Sequence, residues 1–303
     1  MRGVFVDANE SLAVIFDRLR KSGDPDVRVH RDPDIAPEQY PAVLDGAAIA
    51  VVDHTALPTP IAKQCKGLKD VVFLGTGARS YMNPEELAEL GISVHLIKGY
   101  GDTAVAESAI ALMWASARVI AMMDREMRAG SWLREDGMQL TGKTLGLIGF
   151  GGIAAEVARI ASGSGMKVIA WNRSPKSHPS VEFTDLDTVL ARSDVVSLHL
   201  LLNDETRGMI TRERIAKMKP GVIFVNTARA AIVDEAAMIE ALKSGHIRHA
   251  GLDVFNTEPL PADHPLTKIP NVTLSAHSAF RTPEASENLI EAALVHCRRI
   301  VNS

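Results

Sequence analysis

The apolar run Leu145–Ile148 passes directly into Gly149-Phe150-Gly151-Gly152-Ile153-Ala154 and then into a helical pattern reaching about Ala161. No other feature limits the fold of this chain as strongly. Gly149 permits a tight turn, and Gly151 lets the backbone approach a pyrophosphate. The helix start at Gly152 and Ile153 offers unpaired N–H groups and the positive end of a helix dipole to that anion. Ala154 stands in the place of a third glycine. Such a glycine string carries little weight alone, but between a strand and a helix it reads as a dinucleotide-binding turn. The alternative is a turn that only packs a helix on a strand.

Short apolar runs alternate with helical patterns along the rest of the chain. Val4–Val6, Val27–Val29, Ala48–Val52, Val71–Leu74 and Val94–Leu96 read as one series of strands. Thr144–Ile148, Lys167–Trp171, Val195–Leu200, Val222–Val225, Ala250–Val254 and Val272–Leu274 read as a second series, of six. Alternation of this kind predicts parallel sheets flanked by helices. The expected fold is α/β with two doubly wound parallel-sheet domains: a Rossmann-type cofactor domain and a smaller, discontinuous, flavodoxin-like substrate domain. The substrate domain is expected over 1–99 and 280–303, the NAD(P)-binding domain over 100–279. Ala104–Ala129 reads as one long helix ending at Gly130, and Pro283–Val301 as a tail helix that returns to the first domain.

Composition narrows the partners. Among 303 residues, 33 are Lys or Arg and 37 are Asp or Glu, a net charge of −4. That balance argues against a nucleic-acid binder, which needs a basic surface to meet phosphates. No apolar run approaches the ~20 residues of a membrane span. The N-terminus lacks a signal-peptide core, and Cys65 and Cys297 stand far apart with no metal-like spacing. A cytoplasmic location is therefore expected. His246 and His249 have no further ligand beside them, so no metal site is expected.

In NAD-binding turns a carboxylate at the end of the next strand grips the ribose 2′-hydroxyl. Here Lys167–Trp171 ends in Asn172-Arg173-Ser174. Arg173 can pair with a 2′-phosphate, and Asn172 and Ser174 can hydrogen-bond to it. The expected cofactor is NADP rather than NAD. The alternative is that Arg173 is a solvated loop residue and the site binds NAD less tightly.

Three later segments follow predicted strand ends, where open α/β sheets bind ligands. They are Asn226-Thr227-Ala228-Arg229, Asp253-Val254-Phe255-Asn256-Thr257-Glu258-Pro259 and Ser275-Ala276-His277-Ser278. Histidine titrates near neutral pH and can carry a proton to or from an oxygen. A carboxylate such as Glu258 can orient that imidazole. An arginine fork such as Arg229 can hold a carboxylate or a carbonyl oxygen.

With these segments in view, nearly the whole chain resembles the D-isomer-specific 2-hydroxyacid dehydrogenases, of the glyoxylate/hydroxypyruvate reductase kind. The resemblance extends to Val105-Ala106-Glu107, Gly130-Ser131-Trp132, Leu140-Thr141-Gly142-Lys143-Thr144, and Ser193-Asp194-Val195-Val196 with His199 and Thr206. It implies an Arg–Glu–His catalytic set, matched by Arg229, Glu258 and His277. It further implies that Leu200, Leu201, Thr206, Thr227, Ala228 and Asp253 join the glycine turn in holding cofactor. Arg229 and His277 are also expected to contact substrate, as are the backbone amides of Thr76 and Gly77. Glu258 separates the chain from the formate dehydrogenases, which carry Gln there. The implied reaction is reduction of a small 2-oxoacid to a D-2-hydroxyacid by a homodimer, with no appended regulatory domain. The alternative is a dinucleotide-sensing, corepressor-like interaction protein.

The chain departs from the family pattern at Arg79-Ser80-Tyr81, where an acidic residue is usual, and at Leu201, where Pro is usual. Arg79 either adds affinity for a more anionic substrate or faces solvent. His54 is a further candidate for lining the substrate pocket.

Overall fold

The computed structural model describes residues 2–302. The chain forms two compact units. One runs to Gly101 and resumes at Arg281, and the other is Asp102–Phe280.

The first unit holds β1 (Arg2–Phe5), β2 (Asp26–Val29), β3 (Ile49–Val52), β4 (Asp70–Phe73) and β5 (Ser93–Leu96). All pair in parallel, in the order β2-β1-β3-β4-β5. The strands are joined by α1 (Glu10–Leu19), α2 (Tyr40–Val43), α3 (Thr59–Ala62) and α4 (Pro84–Glu89). The central β3, Ile-Ala-Val-Val, is buried throughout, as a strand covered on both faces must be. Local chemistry sets the helix starts. Asn9 accepts from the Leu12 N–H to cap α1. Asn83 caps α4, whose first residue is Pro84. The C-terminal helix Pro283–Asn302 completes this unit. Its Leu289, Ile290, Ala293, Leu294 and Cys297 are buried together with Phe5, Phe16, Val51 and Val72.

The second unit begins with α5 (Asp102–Ala117) and α6 (Ile120–Arg128). β6 (Thr144–Ile148), α7 (Gly152–Gly163), β7 (Lys167–Trp171), β8 (Glu182–Phe183), α8 (Leu186–Arg192) and β9 (Val195–Leu198) follow. α9 (Arg212–Ala216), β10 (Val222–Asn226), α10 (Glu235–Ser244), β11 (Ile247–Leu252) and β12 (Val272–Leu274) complete it. The parallel sheet has the order β12-β11-β10-β9-β6-β7-β8. The order in which strands are added reverses between β6 and β9, and such a switch point opens a crevice at the strand C-termini.

Several strand bounds shift by a few residues, as where β11 runs Ile247–Leu252 rather than Ala250–Val254 and β9 stops at Leu198 rather than Leu200, and the structure differs more deeply in two places. The second sheet has seven strands rather than six, because the two-residue β8 is too short to leave a pattern. The expected single helix Ala104–Ala129 is two helices, bent by 66°. The break comes from outside the helix. The Met138 N–H donates to Ala117 O at 2.7 Å, taking the carbonyl that the next turn would use. Val119 then adopts a left-handed conformation, with φ +55°. Among the described residues no single helix is long and apolar enough to cross a membrane.

Candidate active site

Gly149 follows β6 with φ +91°, and a Cβ there would lie 2.5 Å from His199 O. Conformation and close approach thus both require glycine at this turn. Beside Gly151 there is open space, and it caps α7 without a side chain. The first helical bond of α7 runs from the Ala155 N–H to Gly151 O, leaving the amides before it free to meet an anion.

Asn172 ties this turn to the end of β7. Its Oδ1 accepts from the Phe150 N–H at 3.0 Å, and its Nδ2 donates to Ser174 O at 2.8 Å. Both amide functions are therefore committed to backbone. Arg173 is exposed and forms an ion pair with Glu205. Ser174 is exposed as well.

The loop after β9 carries Leu200, Leu201 and Thr206. Thr206 Oγ1 donates to Leu201 O at 2.7 Å, which fixes the loop's curl. Leu201 is 65% exposed, whereas Leu200 packs on the core of this unit together with Ala228. His199 shares a hydrogen bond with Ser197 Oγ at 2.9 Å. Desolvation lowers its pKa to about 4, so the ring is neutral near pH 7.

Three neighbouring strands, β10, β11 and β12, bring Arg229, Glu258 and His277 to one edge of the sheet. Asn226 Oδ1 accepts from the Ala228 N–H at 2.9 Å, and its Nδ2 donates to Arg229 O at 3.1 Å. The Asp253 N–H donates to Asn226 O at 3.0 Å, and the His277 N–H donates to Asp253 O at 2.8 Å. A continuous series of hydrogen bonds therefore runs from the Arg229 turn to His277.

His277 Nδ1 lies 2.7 Å from Glu258 Oε2. The other oxygen, Oε1, accepts from the Phe255 N–H at 2.8 Å. The histidine backbone is left-handed, with φ +47°, a costly conformation for a residue other than glycine. Asp253 holds it there. Its fully buried carboxylate accepts from Ser275 Oγ at 2.6 Å and from the Ser278 and Ala279 N–H groups at 3.0 Å. Glu258 occupies Nδ1, and Nε2 forms no hydrogen bond among the described residues.

The residues at these strand ends fit a dinucleotide. Besides the open glycine cradle, the buried Thr227 Oγ1 finds no hydrogen-bond partner among the described residues. A buried hydroxyl of that kind is satisfied when a polar ligand reaches it.

The family model for the NAD binding domain of D-isomer specific 2-hydroxyacid dehydrogenases matches residues 110–279. The chain belongs to the D-isomer specific 2-hydroxyacid dehydrogenase family. It is 41% identical over 247 residues to a hydroxypyruvate reductase of Thermotoga maritima, covering 80% of each chain. It is 36% identical over 282 residues to a glyoxylate reductase of Thermofilum pendens, covering 88% of this chain and 83% of that one. Among solved structures, the TT0316 protein of Thermus thermophilus matches with a TM-score of 0.88 and 34% identity. That match covers 100% of this chain and 97% of the other. Members of the D-isomer specific 2-hydroxyacid dehydrogenase family are NAD(P)-dependent oxidoreductases.

The other expected residues of this family member lie in its first unit. Thr76 is exposed and Gly77 half-buried, in the turn after β4. Arg79 is exposed and ion-paired with Glu85. His54 follows β3, where its Nδ1 lies 3.1 Å from Asp53 Oδ2 and its Nε2 lies 2.8 Å from Pro33 O. Both ring nitrogens are thus engaged locally. The buried Asp7 accepts from the Asp53, His54 and Thr55 N–H groups and fixes that loop. His246 and His249 bond separately, to Ile215 O and to Thr273 Oγ1. A cavity of about 550 Å³ lies near the N-terminal strand ends of this unit, lined by Arg2, Asp17, Arg20, Asp26 and Arg28.

Sequence reasoning missed the positioning roles of Asn226 and Asp253. Asn226 carried a local signal, since an asparagine whose side chain accepts from the amide two residues on is an Asx turn. Asp253 works across 22–26 residues, and no spacing rule marks that.

Proposed function

We propose that this chain reduces a small 2-oxoacid of the glyoxylate or hydroxypyruvate type to the D-2-hydroxyacid, with NADPH preferred over NADH. The observation that carries the reading is the His277–Glu258 pair, held at 2.7 Å and joined through Asp253 and Asn226 to the Arg229 turn. In this reading Arg229 binds the substrate carboxylate or carbonyl oxygen with its guanidinium fork. His277 Nε2 donates a proton to the carbonyl oxygen as negative charge develops there. Glu258, 2.7 Å from Nδ1, orients the ring so that Nε2 faces that oxygen. The nicotinamide supplies the hydride. The Gly149 turn and the α7 N-terminus hold the pyrophosphate, Thr227 offers its hydroxyl to the cofactor, and Arg173 takes the 2′-phosphate.

The test is turnover on a panel of 2-oxoacids with NADPH and with NADH, followed by chiral analysis of the product. The expected result is a D-product and a higher kcat/KM with NADPH. Tight cofactor binding without turnover across the panel would instead assign a sensing role. A clear NADH preference would remove Arg173 from the scheme.

The same reading takes the chain as a homodimer. Ile120, Met127 and Trp132 are 53%, 56% and 78% exposed, along α6 and the segment after it. Exposed apolar groups at this density mark an association surface. Sedimentation of the wild type and of Trp132→Glu decides the point, because a monomeric wild type would end it.

A further inference from the structure

Gly152 opens α7 in ordinary helical geometry, where glycine is unfavourable and positive φ gives it no reason to stand. The reason is Asp102. A Cβ on Gly152 would lie 1.8 Å from Asp102 Oδ2, so the carboxylate rests directly on the backbone of the first turn of α7. That turn ends the glycine cradle read above as the pyrophosphate site. Asp102 is half-buried at the start of α5, and no donor faces its carboxylate among the described residues. The one charge acting on it among those residues is that of Glu156, one turn along α7 and itself paired with Arg159 at 2.9 Å. Burial and Glu156 both push its pKa upward. Two helix starts, those of α5 and α7, favour the ionised form while no other anion is present.

We propose that Asp102 couples dinucleotide binding to proton uptake. In the free protein its carboxylate is the anion at the start of α7. An arriving pyrophosphate brings further negative charge to the same helix start. The two anions and Glu156 cannot share it without strong repulsion, so one proton passes from solvent to the Asp102 carboxylate. The neutral acid then gains a donor, and the pyrophosphate gains a hydrogen bond. This inference rests on the dinucleotide reading of the Gly149 turn. It makes cofactor affinity depend on pH.

Calorimetry with NADH, in pairs of buffers of different ionisation enthalpy, tests it on the intact protein. NADH lacks the 2′-phosphate, whose own proton titrates near neutrality. The wild type is expected to take up a proton on binding, with Kd rising as pH increases, by up to about tenfold per unit. Asp102→Asn is expected to bind without proton uptake and about tenfold more tightly at pH about 8. Asp102→Ala, which removes the group altogether, is expected to lose the uptake as well. Proton uptake that persists unchanged in both variants would overturn the proposal, as would weaker binding by Asp102→Asn. If neither NADH nor NADPH bound any of the three proteins, the dinucleotide reading itself would fall.

Discussion

The N–H of His277 donates to the carbonyl oxygen of Asp253 at 2.8 Å, while the carboxylate of Asp253 gathers the residues on either side of the histidine. One fully buried acid thus holds a left-handed histidine in place. Asp253→Asn exchanges an acceptor for a donor that faces N–H groups. It is expected to cost about 3 kcal/mol of stability and to lower kcat. Ser275→Ala, which removes one of the three bonds, should cost about 1 kcal/mol. Chemical denaturation and steady-state kinetics check both variants. Asp253→Asn at wild-type stability would mean that the loop holds itself.

His277→Ala should lower kcat by about 10²- to 10⁴-fold, the usual worth of a positioned acid, with little change in cofactor Kd. Glu258→Gln keeps the size but removes the charge beside Nδ1, so it should lose less. Cofactor fluorescence titration separates binding from turnover. If His277→Ala kept near-normal turnover, another acid must serve.

Arg173 forms an ion pair with Glu205. Arg173→Ala should weaken NADPH binding and leave NADH nearly unchanged. Glu205→Gln should do the reverse, strengthening NADPH several-fold, because a charge-assisted contact no longer competes. The NADPH-to-NADH ratio of kcat/KM measures both. Equal losses with the two cofactors after Arg173→Ala would make Arg173 a general structural residue.

Arg298 on the C-terminal helix holds Asp24 at 2.6 Å and lowers the aspartate's pKa from 3.8 to about 2. A depressed carboxylate stabilises the folded state above its unfolded pKa. That contribution fades as pH falls from about 4 through about 2. Asp24→Asn should therefore lose about 2 kcal/mol at neutral pH, and the difference from wild type should vanish near pH about 2. His54 has the opposite sign. Asp53 chiefly raises its pKa from 6.5 to about 9, so its contribution is full below about pH 6.5 and disappears as pH rises through about 9. Nearly half of that side chain meets solvent, which keeps the effect small. Denaturation midpoints across pH check both.

Much of this fold is legible in local chemistry. Thr144–Ile148, Lys167–Trp171 and Val272–Leu274 have the bounds that their apolar runs imply, because each run is ended by polar residues or glycine. The break after Ala117 is not legible, because the group that causes it, the Met138 N–H, arrives from a later segment. The candidate site divides in the same way. Arg229, Glu258 and His277 stand out by type and by their position after strand ends. Asn172 reads as a polar group free for a ligand, yet its amide is occupied by Phe150 and Ser174. Sequence gives the residue and the strand end, but the partner that consumes a hydrogen bond lies elsewhere in the chain.

The helix Pro283–Asn302 contributes Leu289, Ile290, Ala293, Leu294 and Cys297 to the core that also holds Phe5 and Phe16. During synthesis the ribosome delivers Asp102–Phe280 whole before it releases the residues that complete the first unit. The strands of the first unit must therefore wait, with an apolar face uncovered, until Pro283–Asn302 has been made. The unit begun before Asp102–Phe280 is thus the one completed after it.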